Sequence, residues 1–231
     1  MLQTLYLGKF YWWESGYFNT LDITLDRGGV YILWGCTTIV PLLYTFPSFV
    51  LAMNPLETDL NQVLIFFVSA LIFLCLNYYA DYEKESFQLY RSRVLDKLDL
   101  SDANDEDQGL VEEVINQYNT TYLIKSKSGW KWLEENKAGI RSKLLISGLW
   151  GKIRKLNYTF ELIFSLIIGT LGPYFSGFES VHYWGLLYIS YLVILLTLRI
   201  GRDNTKCLSK YGNLWRIYME RVPYSLIYGI Y

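Results

Sequence analysis

Four stretches of the chain are long, apolar and nearly free of charge. Gly29–Met53 runs 25 residues without a charged side chain, and Gln62–Ala80 runs 19. Tyr158–Phe178 is interrupted only by Glu161, and the shorter Tyr183–Leu198 gains a turn at each end. Roughly 20 apolar residues cross the hydrocarbon core of a bilayer, and a soluble protein rarely carries several such runs. The pattern predicts an all-α, multi-span integral membrane protein with about four to five transmembrane helices. The fifth is a partly embedded segment over Trp12–Asp22. Pro41 and Pro47 are expected to break or kink the first span, and Gly169, Gly172 and Pro173 the third.

Polar positions add an orientation. The short loops Asn54–Asn61 and Glu179–His182 contain no Lys or Arg, whereas 13 lie between Asp81 and Asn157 and six from Arg199 onward. Cations collect on the cytoplasmic side. The central loop and both termini are therefore expected there, and the two short loops opposite. Within the central loop, Asp96–Glu113 is acidic and reads as a flexible insert, because it has too little apolar surface to fold alone. Tyr118–Ile124 has strand-like content. Lys125–Lys143, with Trp130 and Trp132, reads as a linker or as a segment lying on anionic headgroups. The organisation is one membrane domain over residues 1–231 with a cytoplasmic loop at 96–143.

Composition narrows the chemistry. A net charge of −1 suggests no nucleic-acid partner. His182 is the only histidine, which removes His-based metal sites and a Ser-His-Asp triad. Three cysteines make no disulfide framework. Met1–Phe10 lacks the basic start and long apolar core of a cleavable signal peptide. No Gly-x-Gly-x-x-Gly follows a strand, so a Rossmann site is not indicated.

A dense cationic run follows the last apolar stretch. Arg199, Arg202, Lys206 and Lys210 share a helical face with Asp203 and Cys207 beside them. Such a face can hold dinucleotide phosphates, or it can simply fix topology at a cytoplasmic helix end. The wording around it is Arg202-Asp203-x-x-x-Cys207-x-x-Lys210-Tyr211-Gly212-x-x-Trp215, then Val222-Pro223-Tyr224 and Gly229-Ile230-Tyr231. Three further blocks precede it: Trp13-Glu14 with Thr20-Leu21-Asp22-Ile23 and Trp34-Gly35; Pro41-Leu42-Leu43-Tyr44-Thr45 with Asn54-Pro55; and Ser147-Gly148-Leu149-Trp150-Gly151 through Arg154-Lys155-Leu156-Asn157-Tyr158. In this order they resemble the C-terminal half of the sterol reductases, the family of sterol Δ7- and Δ14-reductases and the lamin B receptor. They lean toward the Δ7 branch. The resemblance lapses over roughly residues 90–140.

The resemblance implies NADPH-dependent reduction of a sterol ring double bond. An isolated alkene accepts hydride poorly, so protonation comes first. That needs an acid in an apolar pocket, a nicotinamide cofactor and a groove for a flat ring system. By resemblance, the cofactor-contacting positions are Lys84, Trp150, Asn157, Arg199, Asp203 and Tyr211, with Cys207 adjoining. Arg154 and Arg202 are further cationic candidates. Gln88 and Lys155 depart from the family, which has arginine and histidine there; Lys155 still offers a point charge to a phosphate. The acid candidates are Asp22 and Asp26, four apart and on one face if that segment is helical, and Glu161, with Tyr158 a further candidate proton donor. Desolvation at membrane depth favours the protonated carboxyl. Tyr44, Tyr78 and Tyr79 are read either as proton donors or as members of an aromatic belt.

The resemblance further implies an endoplasmic reticulum membrane, in a eukaryote, with cytoplasmic termini. Expected partners are a sterol, membrane lipid, and either a polypeptide carrying the family's remaining spans or a second copy of the chain. Two alternatives stand beside reduction. One is a non-catalytic sterol-binding or scaffolding member. The other is an enzyme like the isoprenylcysteine carboxyl methyltransferases, against which Arg154-Lys155-Leu156-Asn157-Tyr158 departs from the Arg-His-Pro-x-Tyr signature.

Overall fold

A small sheet interrupts the run of helices along the chain. The computed structural model describes residues 1–13, 37–38, 40–95, 110–115, 121–137, 140–177 and 179–229. Its helices are α1 (Leu2–Trp12), α2 (Val40–Met53), α3 (Leu60–Tyr90), α4 (Leu156–Phe175), α5 (Leu187–Tyr211) and α6 (Asn213–Arg221). A π-helical turn, Arg91–Leu95, extends α3, and 3₁₀ turns at Gly148–Gly151 and Ser180–Leu186 precede α4 and α5. Three helical stretches, Leu60–Leu95, Leu156–Phe175 and Ser180–Tyr211, are long and apolar enough to cross a membrane; Pro41–Met53 is shorter. The helical, multi-span expectation holds. The N-terminal part of the first predicted span, the Trp34-Gly35 motif, Asp22 and Asp26 lie outside the described residues.

Contacts divide the chain into two units. The first comprises Met1–Tyr78 and Asn157–Arg199, the second Tyr79–Leu156 and Ile200–Tyr231. The core of the first unit is a helical seam. Ala70 and Leu74 of α3 and Phe164 and Ile168 of α4, each pair four residues apart, bury against one another, with Leu2 and Tyr6 of α1 packed on them.

Of the two expectations at the prolines, a break or a kink, the helices show no break. Pro41 falls in the first turn of α2, where its missing N–H is no loss, and the helix continues through Pro47. It also continues through Pro173 in α4. Pro173 brings no N–H to the carbonyl of Gly169, and a Cβ added to Gly185 would lie 3.3 Å from that carbonyl oxygen. Gly169 thus serves close backbone approach rather than a break. Hydroxyls exposed on the apolar helices bond back to their own turns: Thr170 to Leu166 O (2.8 Å), Ser190 to Leu186 O (3.0 Å) and Thr197 to Val193 O (2.7 Å). This satisfies them without water.

The second unit corrects the linker reading of Lys125–Lys143. That segment and its flanks form a four-stranded antiparallel sheet, ordered β1 (Leu110–Ile115), β2 (Thr121–Lys127), β3 (Trp130–Lys137), β4 (Ile140–Leu145). Residues 121–124 of the strand-like stretch belong to β2, and residues 110–113 of the predicted flexible insert belong to β1; residues 96–109 and 116–120 lie outside the described residues. Ser128 and Gly129, both at positive φ (53° and 81°), close a two-residue hairpin between β2 and β3. Trp132 and Leu145 pair across the sheet. They are buried with Phe87, Leu95 and Trp150, and Trp130 packs on the same cluster. On that face Glu134 binds Lys125 Nζ at 3.3 Å and accepts the Trp132 indole N–H at 3.0 Å. Buried charges sit inside the sheet because each has a partner.

Candidate functional site

In the first unit a hydrogen-bonded group forms around Glu161. This residue stands in the second turn of α4, and its Oε1 accepts two phenol hydrogen bonds, from Tyr6 of α1 at 2.8 Å and from Tyr44 of α2 at 3.1 Å. The two phenol oxygens are 3.3 Å apart. The Tyr44 ring also meets that of Tyr188 with centroids 4.6 Å apart, and Ser165 bonds the Tyr188 hydroxyl at 3.3 Å. Sequence reasoning named Glu161 as an acid candidate and weighed Tyr44, but did not single out Tyr6 or Tyr188. The Tyr158 ring lies under the Arg199 guanidinium, its centroid 6.0 Å away. The Asn157 backbone carbonyl accepts from Asn77 Nδ2 at 2.7 Å.

In the second unit a compact charged group forms around Trp150. Its buried indole N–H bonds Ala80 O at 2.8 Å, and the Tyr218 hydroxyl bonds its carbonyl at 3.0 Å. Burial holds the Tyr218 phenol above its ordinary range, and the nearby Arg154 charge acts the other way. The turn that carries Trp150 needs its glycine: Gly148 lies at φ +63°, and a Cβ there would collide with the Glu83 carboxylate, which caps the Leu149 N–H at 3.0 Å. Lys84 Nζ sits 4.6 Å from the Trp150 ring centroid, a cation–π contact. Asp81, Lys155, Asp203 and Cys207 all act electrostatically on that ammonium. Lys155 Nζ and Asp203 Oδ2 form a 2.6 Å ion pair. Asp203 Oδ1 is buried without a hydrogen-bond partner among the described residues, with Arg202 Nη2 3.9 Å away. Cys207 is a buried free thiol one turn further along α5. Tyr211 stacks on Trp215, centroids 6.4 Å apart, and the Lys210 ammonium lies 5.2 Å from its ring centre.

Arg154 has a different place from the one expected. Its Nη1 donates to the carbonyls of Val222 (2.5 Å), Pro223 (2.8 Å) and Met219 (3.5 Å), and its Nη2 to Ser225 Oγ. The backbone N–H groups of Arg154 and Lys155 bond Tyr224 O and Ser225 O, each at 3.0 Å. The guanidinium is a clamp on the Val-Pro-Tyr tail, and this explains why the Arg154 block and the tail motif occur together. The structure thus gathers Lys84, Trp150, Asp203 and Cys207, adds Lys155, and commits Arg154 to the tail. Arg202 stays at the edge, more than a third exposed.

The group thus brings together two ammonium groups, an indole ring and a buried carboxylate oxygen. Among the described residues no His, Cys, Asp and Glu cluster suited to a metal occurs.

Comparison with known proteins agrees with these motifs. The chain is 33 % identical over 231 residues to a 7-dehydrocholesterol reductase of Arabidopsis thaliana, covering all of the chain and 46 % of the relative. It is also 33 % identical to a probable 7-dehydrocholesterol reductase of Acanthamoeba polyphaga mimivirus, covering all of the chain and 43 % of that protein. A Delta(14)-sterol reductase of Mus musculus is 28 % identical over 235 residues, covering 99 % of the chain and 45 % of the relative. The chain spans less than half the length of these relatives. Its match to the family model described as ergosterol biosynthesis ERG4/ERG24 runs over residues 1–231, and the chain belongs to that sterol reductase family.

Proposed function

We propose that this chain handles proton and cofactor in an NADPH-dependent reduction of a sterol ring double bond, with Δ7 the favoured position. The observation that carries the reading is the Glu161 carboxyl, hydrogen-bonded by Tyr6 and Tyr44 in an apolar helical unit. Protonation of an isolated alkene requires an acid in such a place. Glu161 donates a proton to one alkene carbon. The π electrons form the new C–H bond, and the adjacent carbon is left cationic. Hydride is the chemistry that a reduced nicotinamide supplies when bound. The Glu161 carboxylate then regains its proton from water. In the second unit, Lys84 and Lys155 are assigned to phosphate, Asp203 Oδ1 to a ribose hydroxyl and Trp150 to the wall of the cofactor site.

The proposal extends to the segments matching the rest of the relatives' length, on this polypeptide or on a partner, as parts of the sterol pocket. It places the protein in the endoplasmic reticulum membrane of a eukaryotic host with both termini cytoplasmic. A non-catalytic sterol-binding role is the second reading. It is favoured by one observation, the commitment of the Arg154 donors to the tail.

Nucleotide titration of the purified protein separates the two. NADPH is expected to bind more tightly than NADH. Lys84→Ala is expected to weaken NADPH about ten- to a hundredfold, the loss of one charge-assisted phosphate contact. Equally weak binding of both nucleotides, unchanged by the substitution, would favour the non-catalytic role.

A further inference from the structure

Helix α1 packs against the other helices of the first unit through a polar stripe at every third position. Gln3 donates from Nε2 to Tyr44 O, and its Oε1 accepts from Ser48 Oγ at 2.6 Å. Tyr6 reaches Glu161, and Lys9 Nζ donates to Asn77 Oδ1 at 2.5 Å. Bonds one turn before and one turn after Tyr6 thereby fix where its phenol lies. The ring is held as well, stacked on Phe164 with centroids 5.6 Å apart and tilted against Tyr44 at 5.5 Å.

Both phenols donate to the same carboxyl oxygen, Oε1. A phenol has one proton, so in this arrangement neither donates to the other. We propose that Tyr6 is a positioning residue which, together with Tyr44, holds the Glu161 carboxyl in place through Oε1. The inference rests on the reading of Glu161 as the acid and adds the side chain and the element that position it. The two hydrogen bonds persist whether Glu161 is neutral or ionised, so the clamp does not have to rearrange during proton transfer. Pre-organisation of this kind is what a supporting group contributes to an acid–base centre.

Infrared spectroscopy of the membrane-reconstituted protein tests this without turnover. The Glu161 carboxyl band is identified as the one lost in Glu161→Gln. Tyr6→Phe keeps the ring and its stacking and removes one donor, so the band is expected to shift; Tyr44→Phe is expected to shift it likewise. Melting temperatures of the variants within a few degrees of the parent show that helix α1 stays docked. A band in the same position in folded Tyr6→Phe would overturn the proposal. In sterol turnover, Tyr6→Phe is expected to lower kcat roughly ten- to a hundredfold, toward the scale of general-acid effects, with the KM for NADPH unchanged. An unchanged kcat and pH–rate profile would equally overturn it. A shifted band in a protein that turns over no sterol would support the clamp and overturn the reductase reading.

Discussion

The Lys155 ammonium and the Asp203 carboxylate lie 2.6 Å apart with both side chains almost out of solvent. The geometry shows what Lys155 does: it neutralises a buried acid at the edge of the Trp150 group. Removing one partner from a buried pair costs about 3–5 kcal/mol, because the remaining charge is left uncompensated. Lys155→Ala is therefore expected to lower the melting temperature clearly in detergent. Adding Asp203→Leu to Lys155→Met should recover most of the loss. A Lys155→Ala protein that melts with the parent would mean that Lys84 alone neutralises Asp203.

Arg154 offers a second test. A hydrogen bond involving a charged group contributes about 1.5–3 kcal/mol, and the guanidinium makes several to one short stretch of tail. Lysine cannot reproduce that fork. Arg154→Lys is expected to release Tyr224–Tyr228, seen as faster hydrogen exchange and proteolytic clipping there, while exchange in α4 beyond its first turn stays as before. Unchanged exchange in the tail would remove the clamp.

The apolar helices were legible in the sequence because an uninterrupted apolar run needs no periodicity to be recognised. The sheet was harder to read for a physical reason. Lys125, Glu134 and Lys143 occupy buried positions, so the alternation of polar and apolar residues in β2–β4 points the wrong way. The Ser128-Gly129 turn was the signal available. In the second unit, Asp203 and Cys207 lie four apart on α5, a relation visible in the sequence, whereas their proximity to Lys84 and Lys155 needed the fold. Tyr6 carried no signal at all. It belongs to an eleven-residue helix whose docking stripe mixes Gln, Tyr and Lys, a pattern no apolar template detects.

Two glycines give a contrast within helical segments. A Cβ on Gly185 would press on the Gly169 carbonyl at 3.3 Å, with Pro47 4.0 Å away, whereas a Cβ on Gly201 in α5 would meet nothing within 4 Å. Gly185→Ala is expected to destabilise by about 1–3 kcal/mol, the cost of overpacking. Gly201→Ala is expected to stabilise by about 0.5–1 kcal/mol through helix propensity. Opposite signs in thermal melts would support the close approach; a neutral Gly185→Ala would contradict it.

Orientation in the membrane supplies the last prediction. The loop between α2 and α3 carries Glu57 and Asp59 but no cation, whereas the sheet and the end of α5 carry Lys and Arg in abundance. Retention of cations on the cytoplasmic face depends on loop charge near the spans, so the two regions should lie on opposite sides. The Ser128-Gly129 turn is exposed and joins two strands through a two-residue hairpin, a place where a short tag is tolerated. A glycosylation acceptor placed at Asp59 is expected to be modified in microsomes, and one inserted at the Ser128-Gly129 turn is expected to remain unmodified. Because Lys84, Lys155 and Asp203 belong to the same unit as the turn, the experiment also tests the cofactor assignment. Modification at the turn would put that unit in the lumen, away from the cytoplasmic NADPH pool, and would overturn both the topology and the cofactor site.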